Sequence, residues 1–74
     1  MINITIRFNN NTFQNYESII KVQYSIPMVG QEVVEGENLF SYNYPIGTDL
    51  QLFSEKIAYK VSGKDIKEIK IEKV

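Results

Sequence analysis

The chain contains no cysteine and no histidine. Without thiols no disulfide can brace the fold, and cysteine sets no limit on redox compartment. The usual structural zinc ligands are missing with them. No imidazole is present to shuttle protons near neutral pH. A cysteine nucleophile and a serine activated by histidine are both excluded. The four glycines are scattered, so no glycine-rich phosphate loop forms. No apolar run approaches the roughly 18 residues of a membrane span. MINITIRF has no basic segment leading into an apolar one, so it does not read as a secretory signal. A cytoplasmic location without membrane contact is expected. The net charge of −1 gives no excess of cations. Nucleic-acid affinity rests mostly on phosphate neutralisation, so that class of partner is disfavoured. No catalytic residue, cofactor site or metal site is expected.

What the chain does hold favours strands. Ile, Val and Thr total 20 residues, against 4 for Ala and Leu. Branching at Cβ costs rotamer freedom in a helix and packs well on a pleated surface. Ile, Asn, Lys, Tyr and Phe, all with AT-rich codons, make up 34 of the 74 residues. That bias points to a low-GC genome, such as that of a Gram-positive bacterium or its phages. A chain this short buries only roughly 60% of its unfolded surface. Residues 1–74 are therefore expected to form a single domain held by a tight β core or completed by self-association.

The hydropathy pattern divides the chain. INITIRF alternates strictly, with Ile2, Ile4, Ile6 and Phe8 on one face, as in a half-buried strand. Asn9–Asn11 reads as a turn, and TFQNY as the returning strand of a hairpin. In SIIKVQYSI, Ile20, Val22, Tyr24 and Ile26 alternate with polar residues up to Pro27. PMVGQEVVEGEN reads as a long acidic loop, with a short strand around Val33 and Val34. LFSYNY resumes alternation and places Phe40, Tyr42 and Tyr44 on one strand face. PIGTD and SGKD read as turns. Between them LQLFSEKIAYKV breaks phase at Phe53 and Ser54, where a bulge or short turn is expected.

KDIKEIKIEK fits neither pure period. On a helix Ile71 falls off the stripe set by Ile66 and Ile69. On a strand Ile66 is out of phase with Ile69 and Ile71. One turn at Lys64–Lys67 followed by a strand over Glu68–Val74 accommodates all three. SIIKVQY (residues 18–24) aligns with DIKEIKI (residues 65–71), as a weak repeat of strand, turn and strand. The expected fold is all-β, a small barrel or two-layer sandwich of five to seven short strands. An α+β fold with one short helix near Tyr16–Lys21 is the alternative.

The partner-binding residues are sought in the loop and the aromatic segment. Glu32, Glu35 and Glu37 lie in a polar stretch without the Asp-rich spacing of a calcium loop. They read as a solvated acidic surface that would steer a basic partner. Met28 and Val29 are apolar residues in the same stretch, and they need a core, a second copy or a partner to pack on. Phe40, Tyr42 and Tyr44 read either as core or as the rigid aromatic anchors found at interface centres. A small non-enzymatic protein-binding module is the function expected, its partner another protein or itself. A self-assembling structural protein is one alternative. A single-stranded nucleic-acid binder using the Lys-bearing C-terminal strands is the other, opposed by the interleaved Glu55, Asp65, Glu68 and Glu72.

Two stretches, MINITIRFNNNTFQNYESIIKV and YKVSGKDIKEIKIEK, carry a resemblance. In style the chain resembles the short β-rich accessory proteins of Gram-positive phages and integrative elements. The likeness implies an accessory role, as an inhibitor or regulator of a host or defence protein or as a small structural part. It designates no specific family and assigns no functional residue.

Overall fold

The computed structural model describes residues 1–45 and 47–74. Seven strands form two antiparallel sheets packed as a two-layer sandwich. They are β1 (Ile2–Phe8), β2 (Phe13–Tyr16), β3 (Lys21–Ile26), β4 (Gly30–Glu35), β5 (Leu50–Phe53), β6 (Ala58–Val61) and β7 (Ile66–Lys73). One sheet has the order β2-β1-β7, the other β4-β3-β5-β6. A one-turn helix, α1 (Asn38–Ser41), follows β4, and a single 3-10 turn at Gly63–Asp65 precedes β7. The all-β sandwich is one of the two folds expected from composition and alternation, the other being a small barrel.

Each sheet buries the apolar half of its alternation. Ile2, Ile4 and Ile6 of β1 face Val22 and Tyr24 of β3 and Leu50 and Leu52 of β5 in one core. Ile6, Val22 and Leu52 are fully excluded from solvent. Fully burying an aliphatic side chain of this size contributes about 1.5–3 kcal/mol. The first hairpin turns at its asparagines. Asn11 adopts a positive φ of 69°, and the Asn10 carboxamide oxygen accepts from the Thr12 N–H at 3.1 Å.

KDIKEIKIEK is a strand whose phase a bulge corrects. Arg7 pairs with Glu68 but Phe8 pairs with Ile66, which leaves Lys67 as the extra residue. The insertion turns Ile66 to the same side as Ile69 and Ile71, so all three meet the core. The strand therefore begins two residues earlier than its alternation predicts.

No helix occurs at Tyr16–Lys21. The chain changes sheets there instead. Ile19 donates its N–H to the Ile2 carbonyl of one sheet, and Ile20 donates to the Phe53 carbonyl of the other, both at 2.8 Å. Ser18 makes the corner with φ 56°, its N–H held by the Asn3 carboxamide oxygen at 3.1 Å. The stretch aligned with it, residues 65–71, also carries the chain between sheets, from β6 to β7. Ile19 and Ile66, at matching positions of the two stretches, are both buried.

Two expectations fail in the middle of the chain. PMVGQEVVEGEN is not a long loop. The short strand expected around Val33 and Val34 is present and extends over Gly30–Glu35. Ile26 pairs with Gly30, and β3 and β4 form a tight hairpin along their whole length. Pro27 and Met28 occupy its turn, closed by the Val29 N–H to the Ile26 carbonyl at 3.1 Å. LFSYNY is not a strand. Both β4 and β5 lie antiparallel to β3 on either side of it, so they run parallel to each other. The chain must travel back along the sheet between them, as every parallel connection requires. Residues 36–45 and 47–49 belong to that crossover, and α1 is its first turn. The turn expected over PIGTD includes Ile46, which lies outside the described residues. LQLFSEKIAYKV is two strands, β5 and β6, joined by a turn in which the Ser54 N–H meets the Ile57 carbonyl at 2.8 Å.

The crossover also closes the sandwich. α1 contacts both β4 and β7, and Leu39 is buried between them. On the opposite side, Tyr16 of β2 meets Tyr59 of β6 edge to face, with centroids 4.8 Å apart. One side is thus sealed by a tyrosine pair and the other by the crossover. Among the described residues no helix is long and apolar enough to cross a membrane.

Candidate functional site

The crossover gathers the three aromatic residues singled out in the sequence, by a route different from the one expected. Phe40, Tyr42 and Tyr44 line one open cleft of about 350 Å³ together with Asn43, Ile69 and Ile71. Ile69 and Ile71 come from β7, so the cleft runs between the crossover and the sheet that ends there. Their roles differ. Tyr44 packs against the core and donates its hydroxyl to the Leu39 carbonyl at 3.1 Å. Phe40 and Tyr42 remain 47% and 39% exposed. Tyr44 is thus an internal brace, and Phe40 and Tyr42 are the accessible rings.

Tyr24 is the member that the sequence did not single out. It lies on the core face of β3 and donates its hydroxyl to the Tyr42 hydroxyl. Its ring is 5.9 Å from that of Tyr42 and 6.4 Å from that of Tyr44. Tyr42 and Tyr44 meet at 5.3 Å with an interplanar angle of 63°, an edge-to-face contact. In the sequence Tyr24 is one more apolar residue in an alternating strand. Only the return of the crossover reveals its partner.

The phenols of Tyr44 and Tyr24 are held protonated. Burial pushes Tyr44 up to about 12, with a smaller contribution from Tyr42. Burial also raises Tyr24, followed by its hydrogen bond to Tyr42 and the nearby negative charge of Glu32. A phenol raised in this way is neither a nucleophile nor a base near neutral pH. The cleft offers ring surface and neutral hydroxyls, which suit binding.

The acidic residues do not form one cluster. Glu32 of β4 stands across from Tyr24, on the core-facing side of an edge strand, yet is exposed to solvent. Glu35 pairs with Lys21, whose ammonium sits 4.5 Å from the Phe53 ring centroid. Glu37 follows β4 and meets Lys73 at 3.2 Å, while the Lys73 ammonium lies 5.0 Å from the Phe40 ring centroid. Glu37 thus borders the aromatic cleft through Lys73, Glu32 borders it through Tyr24, and Glu35 lies apart. Among the described residues no three His, Cys, Asp or Glu side chains gather to hold a metal ion.

Met28 and Val29 project from the tip of the β3–β4 hairpin. Met28 is fully exposed and Val29 is 69% exposed. Met28 has φ 68°, a left-handed backbone that L-residues other than Asn and Asp rarely adopt. Pro27 before it and the closing hydrogen bond across it match a type II turn, whose third position favours glycine. The tip lies just past the end of β3, which runs two residues beyond Tyr24, about 7 Å at strand rise.

The C-terminal lysines do not share a face. Lys60 pairs with outward-facing Gln51 of one sheet and Lys70 with Thr5 of the other, which puts them on opposite outer surfaces. Glu68 lies 3.9 Å from Arg7 and Glu72 lies 3.6 Å from Lys70.

No family model, no curated protein and no solved structure matches the chain.

Proposed function

We propose that this chain is a small non-enzymatic protein-binding module. Its contact surface comprises the hairpin tip at Met28 and Val29, the acidic edge at Glu32, and the exposed rings of Phe40 and Tyr42. The observation that carries this reading is Met28. A left-handed conformation costs an L-residue roughly 1–2 kcal/mol, and here it holds a fully exposed apolar side chain that its own fold does not use. Glycine would fill that turn position without strain. Residues held in strained backbone cluster at ligand clamps and switch regions, which supports a contact with something outside the chain. The resemblance to phage and mobile-element accessory proteins supports a role as inhibitor or regulator of a host or defence protein in the cytoplasm.

Met28→Gly separates folding from binding. The variant is expected to match or exceed the native stability by up to about 1 kcal/mol, because strain is relieved. It is also expected to lose capture of a specific protein from a low-GC Gram-positive lysate. Identical captured proteins for variant and native chain would overturn the reading. Replacing Glu32, Glu35 and Glu37 together by Gln should slow association with that protein at low salt and have little effect at high salt. An unchanged rate would remove the steering role.

The exposed apolar residues Phe13 and Ile20, which lie away from the hairpin tip, favour a second reading as a self-assembling structural protein. Light scattering after size exclusion at two concentrations separates the two. A folded monomer at both fits the binding module, and a stable oligomer fits self-assembly.

A further inference from the structure

Four strands end the two sheets, and they are not equally protected. An edge strand presents unpaired N–H and C=O groups that accept another chain, and proteins blunt such edges with shortness, Lys, Pro or cover. β2 and β6 have four residues each and are tied together by Tyr16 and Tyr59. β7 carries Lys67, Lys70 and Lys73. α1 packs against β7 and β4 alike, so the lysines are what sets β7 apart. β4 has six residues, no Lys and no Pro, and every one of them except Val34 is exposed. Its charges are Glu32 and Glu35, and Glu37 follows immediately.

We infer that the free edge of β4 accepts an extended segment of a partner protein as an additional strand, and that this segment carries Lys or Arg beside Glu32. The inference rests on the protein-binding reading and specifies how the partner is held. Glu32 projects from the core-facing side of the strand, where an apolar strand would have to desolvate it. A second copy is a poor occupant. Its β4 would bring another Glu32 and Glu35 to the same seam, with no cation on either strand. In the fully overlapped antiparallel register Glu32 of each copy sits diagonal to Glu35 of the other on one face, about 7–8 Å apart. A cationic side chain opposite or diagonal to Glu32 converts that repulsion into a cross-strand ion pair. Main-chain hydrogen bonds then supply affinity, and the Glu32 position supplies selection. The hairpin tip at Met28 and Val29 extends the same strand pair and lies at one end of the added strand.

The test uses the full chain and two blocked nine-residue peptides of alternating Thr and Val, one with Arg and one with Glu at the centre. Amide exchange and chemical shifts are followed residue by residue. The Arg peptide is expected to slow exchange at alternate residues of β4, those whose N–H groups point away from β3. The Glu peptide should bind more weakly, by up to about five-fold for one cross-strand charge pair. Glu32→Lys, a change at an exposed position, should reverse the preference. Equal binding of both peptides, or no reversal in the variant, would overturn the cation selection. Unchanged β4 exchange would overturn strand addition. If shifts then appear at Met28, Val29, Phe40 or Tyr42, the protein-binding reading still stands and only its mode falls. The Met28→Gly capture experiment tests that reading separately.

Discussion

Gly63 is buried where the turn before β7 passes Thr48, and a Cβ built there would overlap the Thr48 backbone. Its N–H donates to Asp49 Oδ1 at 2.8 Å, which fixes the approach. Backbone cannot move aside as a flexible side chain can. Gly63→Ala is therefore expected to destabilise by about 1–3 kcal/mol or more, measured as a shift in urea midpoint at constant slope. A variant as stable as the native chain would mean that the two turns do not meet. Tyr44 gives the second test at this scale. The unfolded phenol ionises near 10, and the folded one is pushed up to about 12. Between those values the folded state holds more protons than the unfolded state. Stability is thus intact below the lower value and falls as pH rises through the upper one. Tyr44→Phe should flatten that alkaline loss in urea titrations. Near neutral pH it should cost about 0.5–1.5 kcal/mol for the lost hydrogen bond to Leu39. Equal alkaline slopes would refute the assignment.

At the scale of elements, β7 depends on one residue that makes no core contact. Lys67 is the bulge that lets Ile66, Ile69 and Ile71 face inward together. Deleting it forces a choice between Ile66 and the other two. The deletion is expected to cost at least about 1.5–3 kcal/mol, the value of one buried isoleucine, although only an exposed lysine is removed. A loss below about 0.5 kcal/mol, as for an ordinary surface change, would show that the bulge is dispensable. The same bulge explains what the sequence concealed and what it revealed. The strict alternation in INITIRF and KVQYSI identified β1 and β3, because each buries one whole face. The phase break in KDIKEIKIEK was visible, but its cause was the partner strand. The β3–β4 hairpin was hidden because Pro27 and Gly30 are loop-forming types, and because β4 as an edge strand buries only Val34. LFSYNY alternates in sequence like a strand, but its chain direction is set by the need to return from β4 to β5. Of the candidate site, Phe40, Tyr42 and Tyr44 were found by residue type. Tyr24 was not, since a residue that completes a cluster from a distant strand leaves no local mark.

At the scale of the whole molecule, the two layers are joined at their sides by tyrosines, and the surfaces proposed for binding lie on the side that the crossover closes. The groups that seal the sandwich there also line its cleft. Loosening the crossover should therefore affect both at once. Leu39→Ala removes the buried anchor of α1 and is expected to cost about 2–5 kcal/mol. It should also broaden the resonances of Phe40 and Tyr42 before global unfolding. Resonances that stay sharp in a destabilised variant would show that the cleft is held independently of the helix.

The pairing of β1 with β7 has a mechanical consequence. Ile2 lies opposite Lys73, and the Val74 N–H reaches the Met1 carbonyl at 2.9 Å. A pull applied at residues 1 and 74 therefore meets the ladder end-on. It opens the ladder one rung after another, like a zip, and never loads all the rungs together in shear. Optical-tweezer extension from these two points should rupture the protein at low force despite its well-packed interior. Handles moved to Ile2 and Ile66, at opposite ends of the two paired strands, should load the rungs in parallel and raise that force. A domain of this design resists heat through its core but yields to tension along its seam.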